Sequence, residues 1–481
     1  MKESRVRYFL IAIITLISIG SALLYENLSL SFGRFELGIF VAIFFSIVVF
    51  VIARNLLSSK RDPYEIINPV LSLYCLYAMM LPINYLVRTE SPTLHIGVAG
   101  VAISPMFEYM FICTLGLIGL IVGYYLPFGK KVAERIPVWE AGGRELKIAA
   151  GILLAYGLLS FATNIAVYGG IANYINIGYG SERYVIQRQA LAFGQGLELI
   201  GIASIMLIFV LLKGKSHRWL IPFLACILLA YVVLSLLIGQ RRYVVYLLII
   251  VLVISNYGIA PIKLRWAVLF VVIAYIFFFV YAYSRNIWAE IGLVQGLVET
   301  YNIAVKNPIL ILPFAGGEFI PPAKAILEIL ADNSFQFRYG TSYLVGLVRI
   351  LPRVGKIWPE ALQTLVEWRM SAYYPGFYER GVSFNFFTAA EGYANFGYIG
   401  VLLHMGFYGF IARLAYRYFL EHRTNILVLL VYALVFCVLL FEGIHGEFSQ
   451  VFWNATHTYV GPLLIVIFLA RFTSDVSKRR A

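Results

Sequence analysis

Charge is scarce in this 481-residue chain: Asp, Glu, Lys and Arg together make up 13% of it, against 61% hydrophobic residues. A soluble domain needs roughly twice that charged fraction, so a water-exposed globule is excluded. Cysteine is scarce too. The four present, Cys75, Cys113, Cys226 and Cys437, all fall inside apolar runs without CxxC spacing, which argues against a disulfide framework or a zinc site. No small-residue cleavage pattern follows the apolar stretch Tyr8–Leu24, because Leu24-Tyr25-Glu26 is bulky and charged. That stretch therefore reads as a retained first helix. Tandem repeats, low-complexity tracts and flexible linkers are also missing, and the chain reads as one membrane unit.

What the sequence does have is a series of apolar segments long enough to cross about 30 Å of hydrocarbon as helix. With a mean hydropathy of +0.83, the fold class expected is an all-α polytopic membrane protein of about 12 transmembrane helices. Nine precede residue 284, three follow residue 383, and residues 284–383 form one large loop with no room for a long helix. Pro308, Pro313, Pro321, Pro322, Pro352, Pro359 and Pro375, with Gly316-Gly317, limit that loop to short helices and turns. Orientation follows from the short connections. One alternating set of them holds twenty-three Lys and Arg, from Lys2 to Arg480, and the other holds only Arg34, Arg88, Arg183, Arg188, Arg241 and Arg242. Since positive charge is retained on the cytoplasmic side, both termini are expected inside and the large loop outside. The net charge of +13 is accounted for by this topology and by anionic lipid, so nucleic acid is not needed to explain it.

Three features carry candidate chemistry. Gly239-Gln-Arg241-Arg242 lies between two apolar stretches and must form a very short outer turn, since 219–257 as one helix would cover about 58 Å. The pair either snorkels to the interface or clamps an anion. All six basic residues of the short outer loops are arginine, whose rigid fork suits phosphate. The run Gly381-Val-Ser-Phe-Asn-Phe-Phe-Thr-Ala-Ala-Glu391-Gly-Tyr-Ala-Asn-Phe-Gly397 is too polar for lipid. A helix continuing through it to Tyr418 would be about 54 Å long, so a break is expected at Asn395-Phe-Gly397. Glu391 then falls near the outer boundary, as a base or as the partner of an outer arginine. The last outer loop, Glu442-Gly-Ile-His445-Gly-Glu447, allows structural hydrogen bonding, proton transfer or phosphate contact, but lacks a metal-binding motif. Loop aromatics such as Tyr339, Tyr343, Trp368, Tyr373 and Tyr374 read as interfacial anchors or as platforms for sugars.

With Leu351-Pro-Arg353-Val-Gly-Lys-Ile-Trp358-Pro359, Gly381-Val-Ser383, Glu391-Gly-Tyr-Ala-Asn395-Phe-Gly397-Tyr-Ile-Gly400 and Gly239-Gln-Arg241-Arg242, the chain resembles the Wzy-type O-antigen polymerases. The likeness is architectural over the whole length, while the motifs are short and degenerate. It implies a metal-independent, cofactor-free glycosyltransferase of the cytoplasmic membrane that joins polyprenyl-pyrophosphate-linked oligosaccharide units into O-antigen, capsule or exopolysaccharide. A chain-length regulator and a flippase would be its partners, besides the lipid bilayer. In that scheme Arg242 and Arg241, then Arg285, Arg183, Arg188, Arg353 and Arg380, would hold the pyrophosphate or the substrate. Glu391 would deprotonate the acceptor hydroxyl, with His445 as second choice. The alternatives are an O-antigen ligase, disfavoured by the lack of any His in residues 284–383, and a polysaccharide or lipid-linked oligosaccharide transporter. Nearly charge-free centres of the first nine spans speak against the transporter.

Overall fold

The computed structural model describes residues 34–57, 62–87, 103–176, 196–214, 217, 219–291, 293–306, 312, 319–351, 362–379, 382–468 and 471. Its regular structure there is entirely helical, and ten of the described helices are long and apolar enough to cross a membrane. They fall in α1 (Arg34–Leu57), α2 (Ile67–Val87), α3 (Ile103–Tyr125), α4 (Gly143–Val167), α5 (Gly196–Gly214), α6 (Leu220–Leu237) and α7 (Arg241–Ile254). α7 runs on as a π-helical turn to Ile259. Next come the 28-residue α8 (Leu264–Ile291), whose apolar part is the shorter stretch Leu264–Phe278, and the loop helices α9 (Leu293–Lys306), α10 (Ile320–Ala331), α11 (Thr341–Val348) and α12 (Leu365–Tyr373). The last three spans are α13 (Thr388–Glu421), α14 (Ile426–Cys437, continuing to His445) and α15 (Phe448–Trp453, continuing to Phe468). This is a multi-pass membrane architecture. The expected first span, Tyr8–Leu24, lies outside the described residues.

α3 and α13 are the most closely packed pair, and glycine is what lets them approach. A Cβ on Gly123 would stand 2.7 Å or less from the backbone carbonyl of Gly406, and one on Gly409 would meet the Leu120 carbonyl oxygen at 2.2 Å. In lipid, where apolar side chains gain little by leaving their surroundings, such close backbone contact supplies the van der Waals attraction between spans.

The expected break in α13 is present, at Phe396 (φ −140°, ψ 24°) and Gly397 (φ 61°, ψ −146°). It is a reversal and not a bend. Residues 388–395 fold back on the start of the long arm, so that a Cβ on Gly400 would sit 2.1 Å from the Gly392 carbonyl oxygen. The stretch before it also enters the bundle. Phe387 packs against Tyr74 and Tyr77, with centroids at 5.4 and 6.3 Å, and Tyr77 is at the middle of α2. Phe319, just before α10, reaches the same ring at 5.1 Å. The loop segment at Phe319 and the stretch just after the loop at Phe387 thus dip between the spans instead of resting above them. Non-helical backbone at that depth is tolerated because protein surrounds it and answers its polar groups. Arg369 of α12, completely buried, does much of this: it binds the Glu328 carboxylate at 2.6 and 3.0 Å and donates to the carbonyls of Pro321 and Asn385.

The opposite end of the bundle is tied by a second polar network. Asp62 accepts from the hydroxyls of Tyr257 and Tyr416, and Glu65 from Tyr124 and from Arg413 at 3.1 Å. Four spans are joined there through two carboxylates.

Candidate functional site

The end of the bundle that the charge pattern assigns to the outside carries two adjacent polar clusters. The first is built around Glu391. α13 begins at Thr388, whose hydroxyl is within hydrogen-bonding distance of the carbonyls of Gly443, Ile444 and Gly446, and this sets the short arm against the α14–α15 turn. One turn on, Glu391 has no exposed surface. Its Oε1 accepts from Ser342 Oγ at 2.7 Å and its Oε2 from the Phe448 amide at 2.6 Å. Asn395 completes the set, donating to Ser342 Oγ and accepting from the Gly340 amide. Both carboxylate oxygens are therefore committed to holding three elements together, α11, α13 and α15. Nearby, Glu447 accepts from Ser449 Oγ and the Val366 amide, and burial pushes its carboxyl above the ordinary range.

The second cluster is built around the short α6–α7 turn. Gly239 takes φ 78°, a conformation open to glycine, and the chain reverses within three residues so that Arg241 and Arg242 open α7. Arg242 is exposed, with its guanidinium 5.2 Å from the centroid of the Tyr243 ring and within electrostatic reach of Glu198 and Glu442. Arg241 donates to the Phe278 carbonyl of α8 at 3.4 Å. Glu442, buried, accepts from the Tyr246 hydroxyl and from Gln450 Nε2 at 3.0 Å. His445 stacks flat on Tyr77, at 5.4 Å and 6°, with its Nδ1 against the Phe441 carbonyl oxygen. Beside Tyr243 lies a cavity of about 10 Å³, room for one water molecule, lined by Glu198, Tyr231, Tyr243, Tyr246 and Tyr459 and by the aliphatic Ile202, Leu247 and Ile250.

Of the candidates drawn from sequence, Arg241, Arg242 and His445 share one cluster, and Glu391 occupies the neighbouring one. Arg285 lies one turn beyond Tyr281 on α8, and the Tyr281 hydroxyl bonds the Leu236 carbonyl at the end of α6, so the Arg285 backbone runs beside the arginine turn. Arg183, Arg188, Arg353 and Arg380 lie outside the described residues. Sequence reading missed Glu198 and Glu442 as members of the arginine cluster. Glu198 gives one signal: a carboxylate two residues into an apolar run has to be answered inside the fold. Tyr246 and Tyr459 gave none. Among the described residues no group of three or more His, Cys, Asp or Glu could hold a metal ion.

In chemical terms, the arginine cluster offers guanidinium groups, carboxylates and an imidazole around tyrosine walls. That combination can bind an anion and take up a proton beside it. No family model, no curated protein and no solved structure matches this chain.

Proposed function

We propose that this chain is a lipid-linked oligosaccharide polymerase with twelve spans, both termini in the cytoplasm and its 284–383 loop on the outer face of the cytoplasmic membrane. It joins polyprenyl-pyrophosphate-linked repeat units into a surface polysaccharide. The observation that carries this reading is the convergence of Arg241 and Arg242 with Glu198, Glu442 and His445 at the end of the bundle where the loop dips between the spans.

A glycosyl pyrophosphate brings its own leaving group, so catalysis needs charge stabilisation of the departing pyrophosphate and placement of the acceptor hydroxyl. Arg242, exposed and not fixed by a buried ion pair, is the first candidate for the pyrophosphate oxygens, with Arg241 beside it. The cluster contains two guanidinium groups and two carboxylates. An entering pyrophosphate would compete with Glu198 and Glu442 for Arg242. Apolar faces between the spans would take the polyprenyl chain.

The test is the size distribution of surface and lipid-linked glycan in a deletion strain complemented with the parent chain or with Arg242→Ala. Glycans capped with one repeat unit, restored to a ladder by the parent but not by the variant, support the proposal. Lipid-linked polymer accumulating unattached would mean a ligase, and unpolymerised units held at the inner face a transporter.

A further inference from the structure

Lys324 is 5% exposed, and its ammonium makes no hydrogen bond or ion pair with any described residue. The carboxylate one turn on is already taken: Glu328 accepts from Nε and Nη2 of Arg369 and from the Tyr374 hydroxyl. Arg369 and Glu328 cancel as a pair, so Lys324 adds one positive charge that no described residue balances. Burial, with Arg369 adding to the fall and Glu328 opposing it, lowers the ammonium to about 8, which leaves it charged at neutral pH. A buried charge is ordinarily paired, and the pairing that fits here is with an anion from outside the chain.

The helix face gives that anion its access. Between Ile320 and Glu328 only Pro321 and Glu328 are half-buried, and they stand three residues before and four after Lys324, on one stripe of α10. The rest of this stretch is buried where α10 packs on α2, α3 and α13. α10 climbs from Phe319, which lies against Tyr77 at mid-span, toward the reversal of α13, where the Arg338 and Tyr339 amides donate to the carbonyls of Ala394 and Asn395. At 1.5 Å per residue Lys324 stands about 7.5 Å along the helix from Phe319. Half of the hydrocarbon core is about 15 Å, so a long side chain at that height ends near its outer edge. The abundant anions at that level are phosphates borne on lipids, and a flexible ammonium suits them as a point charge.

We propose that Lys324 is the cation of a second anion site, on α10, which takes a phosphate group carried by a lipid. The site stands whether or not the chain polymerises glycan. Two sources share this chemistry, the diphosphate of a polyprenyl-linked substrate and the headgroup of an anionic phospholipid.

The experiment is melting of the purified full chain at pH 7 in maltoside micelles, which contain no phosphate, with polyprenyl pyrophosphate or phosphatidylglycerol added in steps. Every chain carries Arg242→Ala, so that the arginine turn does not mask the second site, and has Lys324, Lys324→Met or Lys324→Arg. A ligand bound to the folded chain raises the melting temperature with concentration. At least one lipid should do so for the chain that keeps Lys324. Lys324→Met should raise the concentration needed by about tenfold or more, and Lys324→Arg, which keeps the charge, should recover part of that loss. A response to polyprenyl pyrophosphate alone supports the site with the diphosphate as its ligand, and a response to phosphatidylglycerol alone supports it with the headgroup. No stabilisation by either lipid overturns the proposal, as does equal stabilisation of Lys324→Met. Without lipid, Lys324→Met should melt no lower than the Lys324 chain, since it removes an unbalanced charge; a lower value would show that Lys324 is paired within the fold and would also overturn the site. If Lys324→Met does not fold, Lys324→Gln is titrated in its place and read in the same way.

Discussion

Two carboxylates buried at the same end of the bundle differ in what their oxygens are asked to do. Those of Glu391 are both satisfied, by Ser342 and the Phe448 amide, whereas Glu198 leaves one to a cavity with room for a single water. Glu391→Ala should therefore lower thermal stability, leaving two buried donors unpaired at about 1–3 kcal/mol each, while the protein that remains folded keeps its rate. Melting in detergent, paired with specific activity, checks this, and a rate loss without a stability loss would return Glu391 to catalysis. Arg242→Ala should cost about 100-fold or more in polymerisation, the scale of one electrostatic donor removed from a transition state. A loss under about threefold would contradict the clamp. Lys324 supplies a pH signature. Burial on α10 lowers its ammonium pKa from 10.5 to about 8, against the opposing pull of Glu328. The unfolded chain then holds this proton more tightly than the folded one, so the Lys324 contribution to stability should rise between pH 8 and 10.5 and stay flat below. Melting of Lys324→Met across that range should show the rise removed. At this scale the arginine pair was legible because it breaks the charge bias of its side of the membrane. Glu198 was hard to read, since one acidic residue at the head of an apolar segment is also an ordinary helix-start residue.

At the level of elements, the break in α13 was legible and its depth was not. Asn395-Phe-Gly397 announces a break through glycine and through a polar run too long for the bilayer. The fold-back depends on tertiary facts that no local pattern carries: Phe387 against Tyr74, and the Gly392–Gly400 contact. Gly397→Ala should destabilise by about 1–2 kcal/mol, the cost of a Cβ in the left-handed region, as read by melting. Loop helices were expected from the proline spacing, yet the descent of Phe319 and Phe387 to mid-span was not, because aromatics at an interface and aromatics in a plug look alike in sequence. Arg369 is the tie that makes the descent possible. Arg369→Met should cost about 3 kcal/mol by leaving the partly buried Glu328 carboxylate without its ion pair and the carbonyls of Pro321 and Asn385 without a donor, and loss of folded yield would be the sign of it.

For the whole molecule, the two ends of the bundle have different characters. At one, Asp62 and Glu65 are closed by tyrosines and Arg413; at the other, an exposed arginine, a free carboxylate oxygen and a water-sized cavity lie beside the dipping loop. The multi-pass class was legible from composition and segment length alone, because membrane thickness fixes both. Which faces of those segments meet was not, since their apolar residues run around the whole helix and only the glycine contacts single out α3 and α13. The account assigns the closed end to the cytoplasm and the open one to the substrate. The most direct test is whether the purified full chain, in vesicles with polyprenyl-pyrophosphate-linked oligosaccharide and no nucleotide sugar, lengthens the glycan. The account predicts a ladder of products on lipid that disappears with Arg242→Ala. Units that stay single with the folded parent chain, in vesicles exposing the Arg242 end to substrate, would contradict it.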